Sequence, residues 1–561
     1  MRNLGTVIGT TVALGVALGA AALTGCSDQP YDPNAPAVDP DAPVIHITSP
    51  ARGTFLGTAN QLQVRGTASD HSGVASVQVN GVDAALAADG TWSATIPVSP
   101  GTQLIHAVAR DRQGNLGKES RAVVTGPMQP IATSVSRAMA VTMSAQTFDA
   151  LGRGITGFLG HGDVESLIAP HNPVIDVGGG PDCNFVQASI TRLSFGPASH
   201  VNLVPQPGGL AIDVELDQVS LAMTLAYSVL CLDGGRDITV AASHVRVTGI
   251  LGVGVKASGF DIALTHQSVS VTGLDVDLGG LPGDVVNWLH LDTALGPVLG
   301  AATEHFVVPL LNGAFDGLNA TRTIDVLGTP VDIRLTPAQI ALDARGAVIE
   351  VNSTLRAHGD AGSPGFVYVA NQQPAMSTDH GFALAVADDA ANQLLASFWA
   401  AKGLDRAFDL TTGSYGDIGK LYDRVELSAA VPPFIDAEGG ALKLTIGDLV
   451  ATFKNGSAVA TRIAVSAEVD LQVATDATGK PRLDVGTPTT YVDVLDDDVS
   501  GANVLSNAQF EAIASFALAR VIAVGSGAVG AVPLPAFGGV AVHDLAIAEH
   551  TGYLVVDGAV E

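Results

Sequence analysis

Positive charge is scarce in this sequence, and its scarcity excludes two classes of function. The 561 residues include 27 Lys and Arg against 55 Asp and Glu, which gives a formal net charge of −28. Proteins that bind nucleic acids need a basic face to neutralise phosphates, and electrostatic adhesion to anionic lipid head groups needs one too. We therefore expect no nucleic-acid partner and no lipid contact that is held mainly by charge.

Cysteine is also scarce, with three residues in the whole chain. The first ends the motif Leu23-Thr24-Gly25-Cys26, which follows a cationic start (residues 1–3) and an apolar run (residues 7–23). This arrangement resembles a bacterial lipoprotein signal, in which fatty acids such as palmitate are attached to Cys26. The alternatives are an ordinary secretory signal or a membrane helix, although the run is short for a helix that spans a bilayer. By the same resemblance, Ser27 implies an outer-membrane location, on the periplasmic face or the cell surface.

The lipoprotein resemblance implies export to an oxidising compartment. There, the two remaining cysteines, Cys183 and Cys231, most simply form one disulfide. The alternative is two separate buried thiols. Two cysteines without a nearby pair of histidines do not make a metal site, so we expect none from them.

Motifs of catalysis are lacking as well. The sequence has no Gly-x-Ser-x-Gly elbow, no phosphate-binding loop and no His-Glu-x-x-His. Three polar groups remain as conceivable metal or acid–base sites: His161, Asp163 and Glu165; Asp70, Asp111 and Asn115; and Asp496, Asp497 and Asp498. Solvated loops and charged turns are the simpler interpretation of all three. We predict a protein without enzyme activity, cofactor or metal.

Short alternating runs and many glycine-containing turns predict a chain that is mostly β. After a tether rich in Pro and Asp (residues 27–42), strands are predicted over residues 44–48, 61–68, 74–79, 91–98 and 102–110. The hairpin signals Asn80-Gly81 and Asp89-Gly90 separate some of them, and Trp92 is expected in their core. Residues 43–126 resemble the bacterial immunoglobulin-like domains that space other modules from the cell surface.

From residue 128 onward one pattern occurs twice. A strand and a helix open each half, over residues 138–143 and 144–159 in the first, and over residues 382–386 and from Asp388 in the second. We expect Asp388 to cap its helix. A long β region follows each opening, over residues 185–278 and 425–494, and a long apolar helix follows each β region, over residues 284–311 and 505–524. A further alternating segment, 323–368, bridges the halves.

The C-terminal stretch carries the clearest family pattern. Pro533-Leu534-Pro535 precedes the strand patterns of residues 540–545 and 553–559. They resemble the C-terminus of the bactericidal/permeability-increasing (tubular lipid-binding) family, and the resemblance extends back to about residue 137. It implies an α+β fold class, mostly β with long helices, in which a curved antiparallel sheet wraps around a long helix and the unit is duplicated into a boomerang-like module. The bactericidal members bind lipopolysaccharide through a basic tip, but this chain is acidic there.

The family resemblance also implies a domain plan and a set of ligand contacts. The plan is a signal peptide with its lipobox (1–26), a tether (27–42), an immunoglobulin-like domain (43–126), a first lipid-binding barrel (137–318), a bridging sheet (319–375) and a second lipid-binding barrel (376–561). Each pocket lies between the first and last helices of its half and the sheet. The implied lipid-binding residues are Phe148, Leu151, Ile155, Leu295, Leu299 and Phe306 in the first half, and Leu394, Leu395, Phe398, Phe510, Ile513 and Phe516 in the second.

These observations predict a membrane-anchored, exported protein that binds or carries lipids without catalysis. Its expected partners are a lipid or other apolar ligand and the membrane that holds its N-terminal anchor, and no protein partner is assigned. The alternative is a structural or adhesive surface lipoprotein without a lipid ligand. A hydrolase with an unusual site is a third and weaker interpretation.

Overall fold

The computed structural model describes residues 41–161, 172–178, 184–229, 231–257, 259–277, 280, 315–379, 381–412, 418–437, 442–475, 481–495 and 542–560. Within these ranges there are thirty-one β-strands and three α-helices. The alternation of apolar and polar residues explains this preference, because residues two apart in a strand face the same side.

Residues 44–125 form a β-sandwich. Its strands are β1 (Val44–Ser49), β2 (Gln61–Ser69), β3 (Val74–Val79), β4 (Val82–Asp83), β5 (Ala85–Leu86), β6 (Thr91–Pro97), β7 (Gly101–Asp111) and β8 (Leu116–Thr125). One four-stranded sheet has the order β1-β2-β6-β5 and the other β4-β3-β7-β8. Both contribute to one core, in which Trp92 is 3% exposed. The five predicted strands are confirmed, and the structure adds β4, β5 and β8.

The first half contains a seven-stranded half-barrel. It begins with β9 (Met128–Gln129), β10 (Val135–Ser144) and the helix α1 (Ala145–His161). The half-barrel strands are β11 (Ile175–Gly178), β12 (Phe185–Ser194), β13 (His200–Gln206), β14 (Gly209–Val229), β15 (Leu232–Lys256), β16 (Gly259–Thr272) and β17 (Asp275–Asp277). Their order is β11-β12-β14-β15-β16, with β13 also paired to β14 and β17 also paired to β15.

A bridging segment leads into the second half. The bridge holds β18 (Thr321–Val326), β19 (Thr329–Asp343), β20 (Gly346–Ala357) and β21 (Phe366–Val367). The second half begins with β22 (Phe382–Ala387) and the helix α2 (Asp388–Ala400). It continues with β23 (Arg406–Asp409), the short helix α3 (Ile418–Leu421), β24 (Arg424–Ala429), β25 (Phe434–Asp436), β26 (Leu442–Asn455), β27 (Ala458–Thr475), β28 (Pro481–Val485), β29 (Thr489–Val494), β30 (Val542–His550) and β31 (Tyr553–Val560).

The strand order of the first half-barrel is repeated in the second. The second order is β23-β24-β26-β27-β28, with β25 paired to β26 and β29 paired to β27. Each half-barrel strand of the first half therefore has a counterpart, and the repeat predicted from the sequence is present in the topology. A central seven-stranded sheet, β18-β19-β20-β10-β22-β31-β30, joins the two halves.

The predicted α+β fold class with long helices wrapped in sheets is wrong: in the described part the fold is mostly β, built from half-barrel sheets. The longest helix of these ranges, α1, has 17 residues, and α2 has 13. Period-two alternation governs most of the apolar residues here, so they form sheet faces rather than helical stripes. The two segments predicted as long helices, 284–311 and 505–524, lie outside the described residues. Among the described helices, none has the length and apolarity needed to cross a membrane.

Candidate functional site

Each half-barrel has an apolar face, and these two faces are the candidate site. The face of the first belongs to one hydrophobic cluster, and that of the second is divided between two. In the first, Leu210 pairs with Leu251 and Val214 with Val247. Cross-strand partners lie on the same side of a sheet, and these four side chains are at most 3% exposed. The face packs with α1 and part of the central sheet in one hydrophobic cluster. The opposite side of the same strands is less buried and carries charged residues such as Asp213, Glu215 and Arg246.

The apolar face of the first half-barrel is incompletely covered at β16 and β17. Val271 pairs with Val245 and Leu264 with Leu251, so the face continues from β15 onto β16. The β15 partners are 0% exposed, whereas Val271 and Leu264 are only half-buried. We name this strip the apolar margin; its residues are Phe260, Ile262, Leu264, Val269, Val271 and Val276.

The second half-barrel has an open apolar edge on the counterpart of β17. Val492 and Val494 of β29 pair with Val465 and Ile463 of β27. The two β27 residues are at most 3% exposed, whereas Val492 and Val494 are each 37% exposed. Both halves therefore leave apolar side chains open at equivalent places in the topology.

The predicted site residues do not include the apolar margin. A signal for it exists in the sequence, because Phe260-x-Ile262-x-Leu264 and Val269-x-Val271 alternate with polar residues. Alternation shows that these residues share a face, but it does not show that other elements leave this part of the face partly exposed. That depends on which elements pack nearby, and it is visible only in the fold.

Three predicted contacts of the first half lie on α1. Phe148, Leu151 and Ile155 are 0%, 3% and 7% exposed, and all three belong to the cluster formed by the first half-barrel. The structure thus brings them to the apolar face as predicted. Their contact with a lipid stays a prediction, because their burial is equally typical of a helix that packs on a sheet.

The predicted contacts of the second half are distributed differently. Leu394 and Phe398 of α2 join the same hydrophobic cluster as the first half-barrel, and Leu395 is buried at 5% exposed. The structure therefore does not group these three with the apolar face of the second half-barrel. The other predicted contacts lie outside the described residues: Leu295, Leu299, Phe306, Phe510, Ile513 and Phe516.

Buried polar groups fix the position of α2. The Asn392 side chain donates to Ile435 O at 2.8 Å and accepts from Ile435 N at 2.8 Å. Gln393, which is 0% exposed, donates to Ile131 O at 2.9 Å and to Thr133 O at 2.6 Å, and accepts from Leu355 N at 2.8 Å. Such bonds are needed where backbone groups lose water. The helix is thus a tie between segments as well as an apolar surface.

The prediction that Asp388 caps α2 is wrong. Ala387 occupies the cap position without a side-chain cap bond, and the carboxylate of Asp388 instead accepts from Ala437 N at 3.2 Å. Burial and then the charge of Asp389 raise the pKa of Asp388 to about 7. Burial also raises the pKa of Asp389 to about 6. Both carboxyl groups therefore keep their protons to a higher pH than exposed carboxyl groups do.

Two cavities have partly charged linings. One, of about 210 Å³, is lined by Ser136, Arg137, Tyr368, Ala370, Asn371, Ala387, Asp389 and Tyr553. The other, of about 720 Å³, is lined by Ala407, Phe408, Asp409, Thr411, Asp423, Arg424 and Gly456. Charged groups contribute to both linings, so neither suits an acyl chain.

The predicted acidic sites have ordinary local roles where the structure describes them. Asp70 accepts from the backbone of Ser72 and Gly73 at 2.7 and 3.0 Å, and Asp111 accepts from the backbone and side chain of Asn115 at 2.8 and 2.7 Å. These bonds stabilise turns. No metal-binding group of His, Cys, Asp and Glu occurs among the described residues. The groups at Asp163, Glu165 and 496–498, and the side chain of His161, lie outside them.

The predicted covalent sites are only partly within the described residues. Cys231 lies in the turn between β14 and β15, whereas Cys183 and Cys26 lie outside the described ranges. The disulfide and the acylation therefore stay predictions.

Comparison with known proteins adds little to this geometry. A family model described as glucodextranase, domain B, matches residues 43–126. No curated protein matches the chain. Among solved structures, a lipopolysaccharide binding protein is similar with a TM-score of 0.35 and 15% identity, over 76% of this chain and 99% of that one. P47 from Clostridium botulinum A2 is similar with a TM-score of 0.27 and 9% identity, over 76% and 98%. At these TM-scores the likeness decides neither fold nor function.

Proposed function

We propose that this protein binds or carries a lipid or another apolar molecule against its open apolar faces, without catalysis. The observation that supports this most directly is the apolar margin. A folded protein normally buries a large apolar face. Here the apolar face continues from β15 onto β16, and its side chains on β16 are more exposed than those on β15. An acyl chain laid along the margin would complete the burial of these side chains.

The energetics favour a ligand held by its hydrocarbon. Burial of a methylene contributes about 0.8 kcal/mol, so a chain of about a dozen carbons gains roughly 10 kcal/mol before the costs of ordering it are subtracted. On the opposite side of the same half-barrel, Arg246 is not expected to bind an anionic head group. There the Arg246 guanidinium donates to the Asp213 carboxylate at 2.7 Å, and its charge is neutralised.

The membrane anchor belongs to the same proposal. Acylation of Cys26 would hold an exported protein at a bilayer, with residues 27–42 as a tether. The apolar faces would then be close to a source of lipid. The outer membrane is the location that the lipoprotein resemblance favours.

Mass spectrometry of organic extracts from the purified full-length protein tests the proposal. Acyl chains beyond those attached to the N-terminus should copurify at a fixed ratio to protein. After delipidation, the protein should take up a fluorescent fatty acid, and uptake should be insensitive to salt, because screening weakens charge contacts and not apolar burial. Protein that neither retains nor takes up an acyl chain would instead be a structural or adhesive surface protein.

A further inference from the structure

The β-sandwich is docked on the second half-barrel and is not a free spacer. The described residues from 42 onward belong to one compact unit. Thr102 of β7 donates its hydroxyl to Pro432 O at 2.8 Å, and the rings of His106 and Tyr491 lie 4.8 Å apart. The sandwich thereby covers the side of the second half-barrel opposite to its apolar face.

A buried charge cluster lies in this interface. The Arg52 guanidinium bonds to the carboxylates of Asp448, which is in β26, and Asp493, which is in β29, the latter at 2.5 Å. The Asp448 and Asp493 side chains are 1% and 14% exposed, and that of Arg52 is 19% exposed. The second oxygen of Asp448 accepts from Ala122 N of β8 at 2.6 Å. The interface is therefore held by both side-chain and backbone groups of the sandwich.

The sandwich fixes the position of Arg52. The loop that contains it is bonded along β8, with Gly53 N donating to Ala122 O at 2.9 Å and Leu56 N to Val124 O at 2.8 Å. Gly53 has φ +75°, which favours glycine because it has no side chain to clash. Arg52 therefore moves with β8, and any displacement of the sandwich displaces the guanidinium from both carboxylates.

Arg52 reaches a bend in β26. The pairing of β26 with β27 shifts between Ile446 and Leu449, so Gly447 and Asp448 form a β-bulge. Asp448 has φ 44°, a conformation that aspartate tolerates better than most residues. Ile446 and Leu449 on either side of the bulge both lie in one of the two apolar clusters of the second half-barrel. A bulge bends its strand and re-aims neighbouring side chains.

We propose that the sandwich is a positioning module: through Arg52 it holds the bulge at Gly447 and Asp448, and so sets the shape of the apolar face that receives ligand in the second half. This inference rests on the proposed lipid binding. Arg52 acts on Ile446 and Leu449 through Asp448 and is a positioning residue that touches no ligand. Because linkage is reciprocal, a ligand on the apolar face also strengthens docking of the sandwich.

Close approach at the bulge supports this coupling. A Cβ on Gly447 would lie 2.5 Å from the Cβ of Ala122 and 2.8 Å from a methyl group of Thr102. The backbone of the bulge thus touches the sandwich directly. Ala430 N, in the residue that follows β24, donates to Asp448 O at 3.0 Å, so the bulge is held both by the sandwich and by the end of β24.

The test compares Arg52→Met with Arg65→Met in the full-length protein, with uptake of a fluorescent fatty acid as the readout. Arg65 is exposed on β2, so its replacement controls for loss of a charge. We expect Arg52→Met to weaken the affinity of the second-half face about tenfold, within the usual range of coupling between sites, and Arg65→Met to leave it unchanged. Equal affinity of the folded Arg52→Met protein and the wild type would overturn the inference.

A second variant separates positioning from stability. Arg52→Met leaves two buried carboxylates without their cation, which destabilises the interface. Combining it with Asp448→Asn and Asp493→Asn removes those charges, so the melting temperature should recover. Affinity should stay low, because the guanidinium that holds the bulge is still missing. Recovery of full affinity together with stability would show a purely structural role.

Hydrogen exchange separates this inference from the proposed function. Fatty acid should slow exchange of the Ala122 amide, which bonds to Asp448, in the wild type and not in Arg52→Met. If the wild type takes up no fatty acid, lipid binding and this inference both fail. If it takes up fatty acid but the exchange of Ala122 does not respond, only the positioning role fails.

Discussion

At the scale of single residues, the buried carboxyl of Asp388 makes stability depend on pH. Its pKa in the folded protein is about 7, raised by burial and by Asp389, against an ordinary value of 3.8. The folded state therefore binds this proton more tightly than the unfolded chain does. The resulting stabilisation is complete below the unfolded pKa and is lost as pH rises through about 7.

Asp388→Asn should remove this loss, because the amide is neutral at every pH. We expect the variant to exceed the wild type in free energy of unfolding by about 1–2 kcal/mol at pH 8. The difference should shrink at pH 5, where the wild-type carboxyl is protonated. Urea denaturation at both pH values measures it, and Asp275→Asn on the exposed surface is the control. A larger gain at pH 5 than at pH 8 would contradict the assigned direction.

The apolar margin offers a matched pair of residues on one strand. Val271 faces the apolar side of β16, and its neighbour Ser270 is exposed on the other side. Val271→Asp places a charge where the ligand is proposed to lie, and the affinity of the first-half face for fluorescent fatty acid should fall at least about tenfold, since burying an unpaired charge is costly. Ser270→Asp should leave uptake unchanged. Equal effects of the two substitutions would place the ligand elsewhere.

At the scale of elements, α2 depends on buried amides as much as on apolar contacts. Gln393→Ala would leave two carbonyls and one N–H without their side-chain partner. Each unpaired buried group costs about 1–3 kcal/mol, so we expect a loss of about 3 kcal/mol in the free energy of unfolding. Gln339→Ala, on the exposed side of β19, should cost little. Chemical denaturation of both variants provides the measurement.

The sequence predicts strands well where one face is exposed to solvent, and poorly where both faces are buried. In β2, every second residue is buried, and the alternation identifies the strand. In β8, buried residues occur on both faces, and six of the last seven positions are buried. The sandwich core lies on one side of this strand and the second half-barrel on the other. Such a strand lacks the alternation of apolar and polar residues from which a strand is predicted.

The same limit applies to the candidate site. The sequence places Phe148, Leu151 and Ile155 on one side of a helix, and the structure confirms their shared burial. The sequence cannot show that Leu394 and Phe398 pack with the first half-barrel rather than with the second. Nor does it reveal the role of Arg52, because Arg52 meets Asp448 through a contact between segments 396 residues apart.

At the scale of the whole molecule, attachment to a membrane depends on one thiol. Cys26→Ser should release the exported protein from membranes, because acylation at this residue is the proposed anchor. Metabolic labelling with a fatty-acid probe, followed by membrane fractionation, measures both label and location. A wild-type protein that remains unlabelled would exclude the anchor. If the wild type is labelled, the Cys26→Ser protein should not be labelled and should no longer sediment with membranes.

The central sheet has a consequence for biosynthesis. Strand β22 lies between β10 and β31, and Tyr553 of β31 bonds to the Arg137 carbonyl of β10, 416 residues earlier in the chain. A nascent chain that stops before β30 would leave β22 with an open edge, which is a template for aggregation. Pairing between residues so distant in sequence is also slow to form. Truncated or stalled chains should therefore need chaperones or proteases during export, whereas in the full-length chain β31 covers the edge of β22.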